Sequence, residues 1–250
     1  MAKNTNIQWT DHTWNPWRGC RKVCKCCANC YMFREQKRYG NDPTQIIRAA
    51  DQTFKSPLKW KDPAFVLTCS WSDFFIREAD AWRDQAWDII RNTPHLTYQI
   101  LTKRAARIRQ CLPPDWGHGW NNVWLGVSIG VNDSLTQLNF LLGVPARIRF
   151  ISAEPLLESV DFGLRLWSEQ NSPNSGKINW VIVGGESGPA ARPMFKEWVQ
   201  LIQEDCALAR IPFFFKQWGG PEKINGSYGG HKLNGKMVRE MPSVQMSLFS

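Results

Sequence analysis

Six apolar, β-branched or aromatic runs recur along the chain with their starts 26 to 32 residues apart: FVLTCS (65–70), TYQILTK (97–103), VWLGVSI (123–129), RFISAEP (149–155), WVIVGGE (180–186) and PFFFKQ (212–217). Runs of this composition read as buried strands, and the spacing is the length of a strand plus its crossover helix. The segments between them carry helical periodicity at Trp82, Ala86 and Ile89, at Leu135, Leu138 and Leu142, and at Phe195, Trp198, Val199 and Ile202. Parallel strands follow, and with them an α/β fold: a partial (β/α) barrel in one domain over residues 1–250. The strands end in Ser70, Lys103, Ser128, Glu154, Glu186 and Lys216, at the carboxyl ends where such folds place their chemistry. The stretches SEQNSPNSGK (168–177) and CLPPDWGHGWNN (111–122) read as loops rather than linkers. The Gly-rich, polar residues 219–250 read as an irregular tail over the outside.

At 250 residues the chain can bury a full core without disulfide staples. It opens with MAKNTNIQWT, which has no secretory leader, and no run approaches the length of a membrane span. The expectation is a cytoplasmic protein with no membrane partner, whose thiols stay reduced. Lys and Arg outnumber Asp and Glu by 31 to 22, a net charge of +9, which favours a polyanionic partner such as a nucleic acid or nucleotide. Fourteen tryptophans add faces on which unstacked bases can lie, although most should belong to the core.

Against that background, GCRKVCKCCANCYM (19–32) places Cys20, Cys24, Cys26, Cys27 and Cys30 within eleven positions. In a reducing compartment the cluster points to metal ligation or catalysis rather than disulfides. Cys69, Cys111 and Cys206 are scattered among apolar residues and read as buried core thiols. A zinc knuckle would need two separated cysteine pairs, whereas these overlap in one short loop. A [4Fe–4S] cluster accepts closely spaced thiolates from a single loop. With three ligands one iron stays open, and two triads can be written: Cys20, Cys24 and Cys27, or Cys20, Cys27 and Cys30.

NPWRGC followed by CANCY resembles the opening of the spore photoproduct lyase group of radical S-adenosylmethionine enzymes. It is closer still to a phage-associated domain family of unknown function, known by phage gene products thirty-seven and sixty-eight. LTKRAARI, NVWLGVSI, RFISAEPLL, WVIVGGESGPAARP, PFFFKQWG and LNGKMVREMP resemble that family's later blocks in the same order. The resemblance implies a barrel of the radical S-adenosylmethionine type, with Cys20, Cys27 and Cys30 on the cluster, Cys24 as an alternative ligand, and Tyr31 following the third cysteine. In the related enzymes the open iron binds S-adenosylmethionine, and one electron, from a donor such as a flavodoxin or ferredoxin, cleaves it to a 5′-deoxyadenosyl radical. The related lyase returns a hydrogen atom from a cysteine, for which Cys69 is the one similarly placed.

The cofactor-binding set expected on this reading is Tyr31, Ser70, Lys103, Ser128, Glu154, Gly184, Gly185 and Glu186. Gly184, Gly185 and Glu186 resemble in composition the glycine–glycine–glutamate element that holds the methionine end, with a tight turn and a surface glutamate as the competing interpretation. Glu154, an acid at a strand end before proline, suits ribose hydroxyls or a substrate amine, or else a structural salt bridge. Lys103 and Arg104 suit a phosphate or cofactor carboxylate, or simply begin the next helix in solvent. Trp14, Asn15 and Trp17 are placed to shield the cluster, and His12 reads as a hydrogen-bonded residue rather than a fourth ligand. The expected function is a radical enzyme acting on nucleic acid or a nucleotide, in DNA repair or base modification. The alternatives are a non-enzymatic nucleic-acid-binding protein with a structural iron–sulfur or zinc site, and a barrel that senses redox state without turnover.

Overall fold

The computed structural model describes residues 4–167 and 177–243; the 168–177 loop, apart from Lys177, and the end of the tail lie outside the described residues. In chain order the elements are β1 (His12–Trp14), β2 (Trp17–Arg18), α1 (Tyr31–Arg38), β3 (Ile47–Arg48), α2 (Asp51–Phe54), β4 (Ala64–Thr68), α3 (Asp80–Arg91), β5 (Leu96–Thr102), β6 (Val123–Ser128), α4 (Thr136–Leu142), β7 (Ile148–Ala153), β8 (Trp180–Gly184), α5 (Lys196–Ala209), β9 (Phe213–Gln217), β10 (Lys223–Ile224) and β11 (Ser227–Tyr228). Seven strands form one parallel sheet in the order β1-β4-β5-β6-β7-β8-β9, curled into an open half-barrel. All six runs read from the sequence are strands, and the three periodic segments are α3, α4 and α5. The seventh strand, β1, joins the edge of the sheet with His12 opposite Val66 and Trp14 opposite Thr68.

Two crossovers depart from the strand–helix rhythm. Between β5 and β6 the chain makes only the 3-10 turns Ala105–Arg107 and Arg109–Cys111, and the described part of the β7–β8 connection holds the 3-10 turn Leu164–Trp167. Trp116 and Trp120 of the first connection cover the sheet instead, packing on Trp87 of α3 at ring distances of 5.6 Å each.

The period-2 alternation of side chains divides each strand between two cores. Outward-facing Val66, Tyr98, Ile100, Leu125, Ile151, Val181 and Phe215 pack with the helices in the larger cluster. Inward-facing residues form a second, mostly aromatic cluster of Trp9, Leu67, Trp124, Ile148, Phe150, Trp180, Ile182 and Phe214. Trp180 stands at its centre, within 5.7–6.0 Å of the rings of Trp9, Trp124, Phe150 and Phe214. These rings fill the concave face toward the amino ends of the strands and leave its carboxyl end for polar groups. The larger cluster also takes in Cys69, Cys111 and Cys206, buried as expected.

The tail corrects the sequence reading. From Lys223 to Tyr228 it turns back on itself in the β10–β11 hairpin. It then runs antiparallel along the outer edge of β9, with Phe215 N–H donating to Val238 O at 2.8 Å and Glu240 N–H to Phe213 O at 3.1 Å. Backbone donors and acceptors on an edge strand need partners whatever the side chains are, so a polar, Gly-rich segment can serve here without an apolar run to announce it.

Gly126 of β6 is the tightest point of the inner layer. A Cβ there would lie 2.3 Å from the Phe150 ring, which is fully buried and has nowhere to move. Gly126→Ala is expected to destabilise the protein by about 1–3 kcal/mol, seen as a lower urea midpoint. Adding Phe150→Leu to it should recover part of the loss, because the pair then conserves volume.

A candidate active site at the mouth of the half-barrel

β2 and β3 pair antiparallel, Trp17 with Arg48 and Arg18 with Ile47, so the excursion that carries the cysteines is stapled at both ends. Gly19 begins it with φ +87°, a conformation open to glycine, and any Cβ would meet Gln45 O at 2.0 Å. The excursion then folds across the carboxyl ends of the strands as Lys25–Cys27, a 3-10 turn, followed by α1.

Asp73 organises the floor beneath it. This carboxylate is 4% exposed and accepts four hydrogen bonds: from Phe75 N–H (2.9 Å) and Thr102 Oγ1 (2.7 Å) on one oxygen, and from Lys103 N–H (3.0 Å) and Arg104 Nη1 (3.1 Å) on the other. Arg104, so held, reaches Cys20 Sγ at 3.8 Å and Arg21 O at 2.8 Å. Burial nevertheless pushes the Cys20 thiol up to about 11.

The far side of the loop is clasped by residues 185–192. Glu186, 5% exposed, receives Arg192 Nη2 on one oxygen at 2.6 Å, and Arg192 Nε (2.8 Å), Arg192 N–H (3.0 Å) and Asn29 Nδ2 (3.0 Å) on the other. Asn29 also donates to Ala190 O at 2.7 Å, and Arg192 Nη1 to Lys25 O at 3.1 Å. Burial acts against the Glu186 charge, but the hydrogen bonds from Arg192 and Asn29 outweigh it and hold the carboxyl below its usual range. Both oxygens of Glu186 are thus engaged in holding the cysteine loop. Gly185 is equally committed: its N–H donates to Gln217 O at 3.0 Å, and a Cβ would fall 1.8 Å from Trp218 O. Gly184 ends β8, where a Cβ would lie 3.1 Å from the Glu154 carboxylate.

Between floor and clasp lies a cavity of about 950 Å3. Cys20, Cys26, Cys27, Cys30, Tyr31, Ser70, Lys103, Ser128, Glu154 and Glu186 all border it, whereas Cys24 and Gly184 do not. Its apolar floor is Trp9, Leu67 and Leu101. The sulfurs of Cys24 and Cys27 are 3.6 Å apart. Cys24, as hydrogen-bond partner of both neighbours, lowers the Cys26 thiol to about 7 and, together with burial, raises that of Cys27. Cys26 Sγ faces Pro155 O at 3.9 Å. Lys103 projects among these sulfurs, and its ammonium has no carboxylate or hydrogen-bond acceptor among the described residues. Burial would lower its pKa, but the thiols of Cys27, Cys24, Cys30 and Cys26 outweigh that and raise it.

On the opposite wall Glu154 is bridged to Lys216 Nζ and lies 3.2 Å from Ser152 Oγ. Ser128 Oγ donates to Glu154 O at 2.9 Å. Tyr31 O–H donates to Ser70 O at 2.6 Å, and Asn15 Oδ1 accepts from Trp71 N–H at 2.8 Å. Cys69, in the left-handed region with φ +64°, borders the cavity while its thiol, 4% exposed, packs in the outer core.

Trp14 and Trp17 do not shield the thiols. Alternation sends Thr13 and Asn15 to the cavity and Trp14 outward, its indole N–H donating to Phe54 O at 3.0 Å, while that of Trp17 donates to Asp73 O at 3.1 Å. His12 accepts the Asn4 N–H at 3.2 Å and stacks edge-on with Trp60, away from the cysteines. Asp73, Asn29 and Arg192 were not singled out in the sequence; the one signal available for the first is its place five residues past the end of β4.

Arg192→Met should free the clasp. Hydrogen bonds to charged groups contribute about 1.5–3 kcal/mol, and the lower end applies because the Arg192 side chain is 34% exposed. Amides of residues 24–31 should then exchange with deuterium about tenfold faster, those of β6 unchanged. The same protection in the unaltered protein has a defined acid limit. A depressed carboxyl stabilises the fold above its unfolded pKa of about 4.3 and loses that contribution as pH falls through the lower folded value. Loop exchange, corrected for intrinsic rates, should therefore be flat from pH 7 to about 5 and rise below about 4.

No curated protein and no solved structure matches the chain. A family model does, over residues 4–242, which takes in every element from β1 to the strap along β9. The chain belongs to that family, described as a protein of unknown function, DUF5131.

Proposed function

We propose that the chain is a [4Fe–4S] radical S-adenosylmethionine-type enzyme acting on nucleic acid or a nucleotide, in repair or base modification, in a reducing cytoplasmic setting. The observation that carries this reading is the meeting of Cys20, Cys27 and Cys30 with Lys103, Ser128, Glu154 and Lys216 around one cavity at the carboxyl ends of parallel strands. The donor chemistry suits a cluster better than a zinc ion. Tetrahedral zinc draws four sulfurs to about 3.8 Å from one another; the Cys24 and Cys27 sulfurs, 3.6 Å apart, approach that spacing, but no three His, Cys, Asp or Glu side chains among the described residues are placed together to hold a metal ion. A cubane offers each thiolate its own iron, so thiols spread around a cavity wall can serve. Cys20, Cys27 and Cys30, which all border the cavity, would hold it, with Cys24, whose sulfur lies 3.6 Å from that of Cys27, as the alternative ligand.

The bound cluster and S-adenosylmethionine supply one-electron hydrogen-atom abstraction, with a flavodoxin or ferredoxin as electron donor. The protein's own residues prepare the setting. Arg104, fixed by Asp73, positions Cys20, and the Glu186–Arg192–Asn29 clasp positions Cys30 through its neighbour. Lys103 sets a positive charge against the thiolates, which have little water to screen them. Glu154, held by Lys216 and Ser152, presents a carboxylate that can accept hydrogen bonds from ribose hydroxyls or an amino group. Trp9, Leu67 and Leu101 keep the floor dry, as a reactive carbon-centred species requires. Cys69 borders the cavity but packs its thiol in the outer core, so a hydrogen-donor role requires that thiol to turn inward, and full turnover by Cys69→Ala would remove it from that role.

The test is iron and sulfide analysis of protein purified without oxygen, with 5′-deoxyadenosine measured after reduction. Cys30→Ala should lose most of its iron and all cofactor cleavage, while Cys24→Ala keeps both. Cys24 essential with Cys30 dispensable would establish the other triad. Stoichiometric zinc bound by four cysteines, with no cleavage, would overturn the proposal.

A further inference from the structure

Residues 17–48 carry eight Lys or Arg against two Asp or Glu, six of the nine net positive charges of the whole chain. The fold gathers this segment, from β2 through the cysteine loop and α1 to β3, into the outer lip of the cavity. Within the segment Arg21 pairs with Glu78, Lys25 with Asp133 and Arg48 with Asp51. On the lip, Arg18, Lys37 and Arg38 have no carboxylate partner among the described residues, and Arg34 has only its neighbour Glu35 at 3.9 Å. Tyr31, Arg34 and Arg38, at helical positions i, i+3 and i+7, lie along one exposed stripe of α1. That stripe begins in the cavity wall at Tyr31, whose hydroxyl is pinned to Ser70 O while the residue stays 42% exposed. Tyr39, 64% exposed, ends it.

We propose that this lip docks an unpaired nucleic-acid strand, with phosphates on Arg18, Arg34, Lys37 and Arg38 and bases against Tyr31 and Tyr39, so that one unstacked nucleotide faces the cavity. The inference rests on the nucleic-acid reading above and deepens it by giving the strand a place and a pairing state. Unpartnered cations along a rim supply the sequence-independent attraction to phosphate. Exposed rings set among them take bases only where those bases are not already stacked in a duplex. A concave site whose reactive groups line an inner wall likewise reaches a base only outside the helix.

Anisotropy of dye-labelled oligonucleotides of about 12 nucleotides tests this directly, with single-stranded DNA, single-stranded RNA and duplex DNA of one sequence, from low to high salt. Either single strand should bind at least about tenfold more tightly than the duplex; the two single-stranded arms tell whether a 2′-hydroxyl is read, and preference for either supports the docking. The double variant Lys37→Glu, Arg38→Glu should weaken single-strand binding about tenfold or more. Lys37→Gln, Arg38→Gln should make the salt dependence shallower by about one unit for each cation removed. Lys59→Glu, Lys61→Glu alters two exposed lysines before the amino end of β4, away from the mouth, and should leave binding within about twofold. Tyr39→Ala should weaken single strands and spare the duplex. Equal losses from the two charge-reversal pairs, a preference for duplex, or no single-strand binding at low salt would overturn the proposal. Iron content and cofactor cleavage of the same preparations report separately. Binding without either leaves the docking surface standing, and cleavage without binding removes it while the cluster reading survives.

Discussion

The burial of Trp180 governs how this half-barrel is divided. A side chain of that size on the concave face, ringed by Trp9, Trp124, Phe150 and Phe214, fills the amino-end half of the interior, where a closed barrel would stack layers of branched aliphatic residues. With that half occupied, the inward positions one step further along each strand fall beyond the aromatic layer. There the chain places Ser128, Ser152, Glu154 and Lys216. The polar mouth is therefore a consequence of strand alternation above a packed floor, and the excursion between β2 and β3 is what roofs it.

Much of this was legible because parallel strands buried on both faces are written as continuous apolar runs. VWLGVSI and WVIVGGE differ from β6 and β8 by one or two residues at the polar end. What escaped notice lacks such a signature. HTW is three residues long and flanked by polar groups, so β1 announces itself only through its partner, β4. The β5–β6 crossover is covered by a tryptophan pair rather than a helix, and no periodicity marks it.

The site was legible to a different degree. A cluster of thiols after NPWRGC is visible in one short stretch, and the strand-end rule brought Ser70, Lys103, Ser128 and Glu154 to one cavity. The groups that hold the loop in place were not visible, because their partners are remote: Asn29 meets Glu186 across 157 positions, and Asp73 looks like any surface aspartate until Thr102 and Arg104 are folded against it. Glu186 shows the converse. Its motif suggested an open carboxylate, but four donors converge on it, a commitment that only the tertiary structure could reveal.

An open half-barrel has an end that a closed one lacks. Past β9 there is no next strand, and the residues around Val238–Glu240 occupy that edge instead. They act as a built-in chain terminator: the sheet cannot recruit a strand from a second molecule there while its own strap is in place. A protein shortened before Val238 would lose the acceptor of the buried Trp180 indole at Glu240 O and the packing of Val238 on the outer core, and would present Phe213 and Phe215 with unpaired backbone beside exposed apolar surface. The stretch around Val238–Glu240 thus guards the sheet against edge-to-edge association.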